Sequence, residues 1–189
     1  MTKHCYDVEP YLINNCAPTL AAVKTANLFS MPCISDENLH RQLEEWNAKL
    51  ESRGITIFLL KRCRDRALLY VCRKKRLQKD LEKSGVHRFL KQYGYHEFSA
   101  EAAISRLIER MRTQEEFPHE IGVFLDYPLG DVIGFIQNEG KNYKCLGCWK
   151  VYCDACKAQK QFAAYRKCGE VYHRLWENGR SVMRLTVAA

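Results

Sequence analysis

Residues 55–61 and 67–72 are two β-rich runs separated only by the polar stretch Arg62-Cys-Arg-Asp-Arg66, a pattern that closes an antiparallel hairpin. This pair is the strongest constraint on the fold, because most of the chain around it carries helical periodicity. Helices outweigh strands, and strands do not alternate regularly with helices. The expected fold class is therefore α+β, a single domain over residues 1–189 with a small, mostly antiparallel sheet packed against several helices.

Residues 7–15 read as a short helix. Cys16-Ala-Pro-Thr-Leu follows, and Pro18 is suited to starting a new helical turn, where its missing N–H is not needed. Residues 27–31 read as a short strand before Pro32. Ser35 or Asp36 caps a helix to about residue 52, with Leu39, Leu43, Trp46 and Leu50 as its apolar stripe and Gly54 as its stop. Beyond the hairpin, residues 73–83 and 86–93 read as helices broken at Ser84-Gly85. Ser99 caps another, with Ala103, Ile104, Leu107, Ile108 and Met111 facing inward. Residues 117–125 read as a short helix with Pro118 in its first turn, and residues 129–137 as a second. Residues 142–152 read as an extended segment bent at Gly147. Asp154 caps a last long helix to about residue 178, stopped by Gly179, and residues 181–187 are expected to form a closing strand.

The chain has 189 residues, enough to bury a core without disulfide staples. No apolar run nears the roughly 20 residues that cross a bilayer, and residues 1–7 contain no hydrophobic stretch resembling a secretion signal. Ten cysteines without an export signal point to the reducing cytoplasm, as free thiols, metal ligands or redox groups. The net charge of +8 favours acidic partners. Arg73-Lys-Lys-Arg76 with Lys79 reads either as a phosphate-gripping patch or as a solvated helix face.

Four thiols fall within twelve residues: Cys145, Cys148, Cys153 and Cys156. A Cys-x2-Cys pair brings two sulfurs to one point, and two pairs would complete a tetrahedral site for zinc or hold an iron–sulfur cluster. Gly147 supplies the turn between the first two, and Lys144, Lys150 and Lys157 would favour thiolates. Against a four-thiolate site, the second pair follows the first by only four residues, where zinc ribbons leave roughly 15 to 20. Trp149, Val151 and Tyr152 between the pairs have core character, and Cys153 and Cys156 straddle a helix start. A smaller site using Cys145 and Cys148 with distant partners, a dithiol redox pair, and simple burial are the alternatives.

His119 and Glu120 are candidates for a proton-transfer pair or metal ligands, or form an ordinary helix start. A cysteine nucleophile, Cys16 or Cys148, with His119 as base is an enzymatic reading. Asp131 reads as a first-turn carboxylate. The C-terminal aromatics Tyr143, Trp149, Tyr152, Tyr165, Tyr172 and Trp176 are spaced for packing. No P-loop, Gly-x-Ser-x-Gly elbow or dinucleotide fingerprint is present.

Three stretches together resemble the bacterial family known as domain of unknown function 3793, over nearly the whole chain. They are residues 16–29, residues 117–135, and Cys145-Leu-Gly-Cys-Trp-Lys-Val-Tyr152 with Phe162, Tyr165 and Cys168 behind it. The resemblance brings no established activity. It implies a bacterial, mainly anaerobic setting. The family's pattern has counterparts of Cys16, Cys148 and Cys168, often of Cys145, and of His119 and Glu120. Gly or an acidic residue more often stands where this chain has Cys153 and Cys156. That shifts the expected metal or redox set to Cys16, Cys145, Cys148 and Cys168, with zinc or iron as the metal. Family genes lie beside flavodoxin-like or ferrous-iron-transport genes in some genomes, which implies a redox or iron-handling protein as partner. The rival expectation is a non-catalytic protein binding nucleic acid or an acidic protein through its basic surface, with nucleic acid the weaker choice.

Overall fold

The computed structural model describes residues 7–33 and 35–188. The opening stretch read above for a secretion signal lies outside them, apart from Asp7. The order of elements is α1 (Val8–Leu20), β1 (Ala26–Pro32), α2 (Asp36–Leu50), a 3-10 turn (Glu51–Arg53), β2 (Ile55–Cys63), β3 (Arg66–Arg73), α3 (Lys74–Leu81), α4 (Val86–Lys91), α5 (Ala100–Thr113), α6 (Ile121–Phe124), α7 (Leu129–Gln137), β4 (Cys145–Leu146), β5 (Lys150–Val151), α8 (Ala155–Glu177) and α9 (Val182–Leu185).

The hairpin forms, and β1 joins its free side, so the sheet runs β1-β3-β2 and is antiparallel throughout. Alternation along the strands divides two cores. Leu28, Phe58, Leu60, Tyr70 and Cys72 face one side, packed with Leu77, Leu90, Leu107 and Phe124 from the helices between α3 and α6. Phe29, Met31, Ile57, Leu69 and Val71 face the other, packed with Leu12, Leu43, Trp46 and Leu185. The expected α+β class, with a small antiparallel sheet against several helices, is what the chain adopts. No described helix is long and apolar enough to cross a membrane.

Local chemistry sets the element ends. The side chains of Ser35, Ser99 and Asp154 accept from the backbone N–H groups of Asn38, Ala102 and Lys157. Gly54 ends the 3-10 turn in the left-handed region, at φ 69°. Asn47 of α2 brackets Ile57, donating to its carbonyl at 3.0 Å and accepting from its N–H at 2.7 Å. Arg73, at the end of β3, is buried. It donates to the carbonyls of Thr19 (2.7 Å), Leu20 (2.9 Å), Arg53 (3.0 Å) and Val187 (2.7 Å). Arg76 donates to the carbonyl of Ala22. Two cations of the basic run are thus spent on backbone carbonyls.

Three segments differ from expectation. α1 is continuous through Leu20, with Pro18 inside its last turn, where no second helix starts. The N–H that Pro18 lacks would have met the Asn14 carbonyl, so the disruption stays near the helix end. Residues 117–120 are not helical. Residues 119–120 form a turn, and α6 is confined to Ile121–Phe124. Residues 181–187 hold the short helix α9 where a strand was expected. Ser181 accepts from Arg184 N–H, and Val182 and Leu185, three apart, bury one face.

Candidate functional site

Pro18 also shapes the turn that follows α1. Its carbonyl accepts from both Val23 N–H (2.9 Å) and Lys24 N–H (3.0 Å), and Ala22 takes a left-handed φ of 57°. The chain is thereby folded back so that Lys24 points inward and is only 4% exposed. Its ammonium lies 5.2 Å from the centroid of the Tyr127 ring and 5.7 Å from that of Tyr165. Burial lowers its pKa, partly opposed by the nearby Cys148, Cys16 and Asp126.

Opposite stands the β4–β5 hairpin. Asp131, buried in the first turn of α7, fastens it. One carboxylate oxygen accepts from the backbone N–H groups of Tyr152 and Cys153, each at 2.8 Å. The other accepts from the Trp149 indole at 2.8 Å. Trp149 stacks on Tyr127 at 4.8 Å and meets the edge of Phe162 at 4.5 Å. A Cβ on Gly147 would come within 2.1 Å of the Phe162 ring, so close approach to that ring excludes a side chain there. The backbone of Gly147 is not in the left-handed region.

Two cavities meet at this hairpin. The larger, about 660 Å³, has Lys24, Asn27, Arg166, Tyr127, Tyr165 and Cys148 in its wall. The smaller, about 300 Å³, is mostly apolar and is lined by His119, Phe117, Phe135, Leu146 and Trp149, again with Tyr127 and Cys148. Leu28, Leu125, Tyr127, Gly147 and Cys148 border both. Desolvation raises the Cys148 thiol above its ordinary value, while Lys24 and Arg166 pull it back down.

The expected sulfur set does not share this position. Cys145 packs at the side of the small core built on Trp149, Val151 and Phe162, and lines neither cavity. Cys16 is fully buried in α1, and desolvation drives its pKa far up, so it stays a thiol. Cys168 is half-buried on α8, its thiol also raised by desolvation. Cys153 and Cys156 are exposed, and a Cβ on Gly130 would touch the Cys153 sulfur. Among the described residues no three His, Cys, Asp or Glu side chains gather as metal ligands.

His119 and Glu120 point apart. His119 is exposed on the smaller cavity, its ring 5.0 Å from Phe135. Glu120 is buried and accepts from Arg110 Nε at 2.5 Å and from the Tyr95 hydroxyl at 3.1 Å. The sequence had not singled out Lys24, Tyr127 or Arg166, and it underread Asp131. The one local signal was a lysine set among small apolar residues after a proline.

The fold and cleft define an α+β protein in which Cys148 belongs to the wall shared by two pockets. The chain belongs to the family described as "Protein of unknown function (DUF3793)", matched over residues 12–186. No curated protein and no solved structure matches it.

Proposed function

We propose that this is a small-molecule-binding thiol protein in which Cys148 is the group that meets the ligand. The observation that carries the reading is the position of Cys148 in the wall shared by both cavities, with the buried Lys24 ammonium acting on it. A molecule bound in the larger cavity, between Lys24 and Arg166, would lie near this residue's sulfur, on which both cations act. Thiol–disulfide exchange and attack on an electrophilic carbon both begin with loss of the thiol proton; desolvation holds the Cys148 thiol above its ordinary value, and Lys24 and Arg166 offset part of that rise. Such chemistry suits the redox partner that the family resemblance implies. Zinc or iron binding by Cys16, Cys145, Cys148 and Cys168 is not part of the proposal, because no such donor group is gathered among the described residues.

The test is alkylation of the native protein by iodoacetamide, with each cysteine followed by mass spectrometry. Cys148 is expected to react about threefold or more slowly in Lys24→Met, because the neighbouring charge is lost. The exposed Cys63 serves as the internal control and should keep its rate. A Cys148 rate indifferent to Lys24→Met would refute the reading.

A further inference from the structure

We infer that the larger cavity binds a small organic anion, its carboxylate or phosphate head seated between Lys24 and Arg166 and its apolar body within the wall formed by Tyr127, Tyr165 and Phe162. The inference rests on the proposed ligand cleft at Cys148 and names the class of molecule it takes.

The first support is an unmet charge. A buried ammonium is ordinarily paired with an anion or hydrogen-bonded, because leaving water is expensive for it. Lys24 faces ring surfaces instead, with no hydrogen-bond or ion-pair partner for Nζ among the described residues, and Nζ is not one of the fully buried polar atoms left without a partner, so it opens onto the cavity. The nearby carboxylate of Asp126 is turned to Lys83, at 3.2 Å. No Asp or Glu lines the cavity among the described residues.

The second support is the complementarity of the other walls. Arg166 stands exposed on the same cavity, and among the described residues its guanidinium likewise has no hydrogen-bond or ion-pair partner. A guanidinium grips carboxylate and phosphate through paired N–H donors. The Asn27 side-chain carbonyl is taken by the Thr19 hydroxyl at 2.7 Å, which leaves its amide N–H groups as donors. A volume of about 660 Å³ exceeds the needs of a bare inorganic ion and suits a small organic molecule. Tyr127, Tyr165 and Phe162 provide apolar wall for its body; the Tyr127 ring itself is already stacked on Trp149 and approached by Lys24.

The experiment is calorimetric titration of the full chain at low salt with benzoate, phenyl phosphate and neutral benzamide. At least one anion should saturate, with benzamide about tenfold weaker or more, and the tighter anion identifies the head group. Lys24→Met and Arg166→Ala should each weaken the anion by about tenfold. Methionine keeps the length of the lysine stem without its charge, and Arg166 is exposed, so at least one variant remains folded. Equal binding of benzamide, anion affinity unchanged in both variants, or no saturation by either anion overturns the inference. Anion binding with a Cys148 thiol indifferent to Lys24 would sink only the thiol reading. A Lys24-dependent thiol without anion preference would sink only the anion site.

Discussion

The Tyr127 hydroxyl donates to the Cys148 carbonyl at 3.2 Å, so one ring borders both cavities and holds the backbone that presents the thiol. Burial pushes this phenol up to about 12, so it remains a donor across the physiological range. Tyr127→Phe keeps the ring stack on Trp149 and removes only that bond. The expected loss of stability is about 0.5–1.5 kcal/mol. Amide hydrogen exchange should quicken at Cys148 and Trp149 more than in β3, and uniform quickening would show that the bond has no local role.

Asp131 is expected to matter more than a first-turn carboxylate on a helix surface. Asp131→Ala strands two backbone N–H groups and an indole N–H, and should destabilise the protein by about 2–4 kcal/mol. Asp131→Asn keeps one acceptor oxygen and should fall between. Urea denaturation of both variants checks the order, and a neutral Asp131→Ala would contradict the clamp.

Gly147→Ala should destabilise by about 1–3 kcal/mol through collision with Phe162. Phe162→Leu in the same chain should recover part of that loss, because the obstructing ring is gone. Additive losses in the double variant would place the strain elsewhere.

Glu120 is expected to be a structural residue. Glu120→Ala leaves Arg110 buried without its carboxylate and should cost about 3–5 kcal/mol. Thermal denaturation measures this directly, and an Arg110→Met, Glu120→Leu pair should be less damaging than Glu120→Ala alone.

Alkaline stability should divide by residue. Burial pushes the Cys72 thiol from 9.0 up to about 12. The unfolded chain therefore loses this proton first, and the stability that Cys72 contributes is whole below about pH 9 and falls as pH rises towards 12. Lys24 has the opposite sign. Its folded pKa is lowered, so folding carries a penalty at lower pH that is relieved as pH rises through the folded value towards 10.5. Denaturant midpoints between pH 7 and 11 should fall less steeply in Cys72→Ala and more steeply in Lys24→Met than in the parent. Parallel curves would show that neither group drives the effect.

Much of the fold was legible because its signals are local. The period-two alternation of β2 and β3, the caps Ser35, Ser99 and Asp154, and the stripe from Leu39 to Leu50 all act within a few residues of themselves. Residues 181–187 were expected to form a strand, while the outcome was set by burial of Val182 and Leu185 against α1 and its neighbours. The density of cysteines drew attention to a shared site, whereas the fold sends Cys145 to a core and Cys148 to a cavity. The Lys24 pocket was not legible at all. Lys24, Tyr127, Cys148 and Tyr165 come from four separate segments, and their meeting depends on how α1, the α6–α7 turn, the β4–β5 hairpin and α8 pack.

Arg73 binds carbonyls at residues 19, 20, 53 and 187 through one guanidinium. During synthesis, that charge is committed to the interior long before its last acceptor exists. As the chain is made, the carbonyls of residues 19, 20 and 53 are already available to the guanidinium, and only its bond to residue 187 has to wait. A chain cut before residue 187 would lose that bond alone, so the tie between the end of β3 and the segment after α9 is the last of the four that can form.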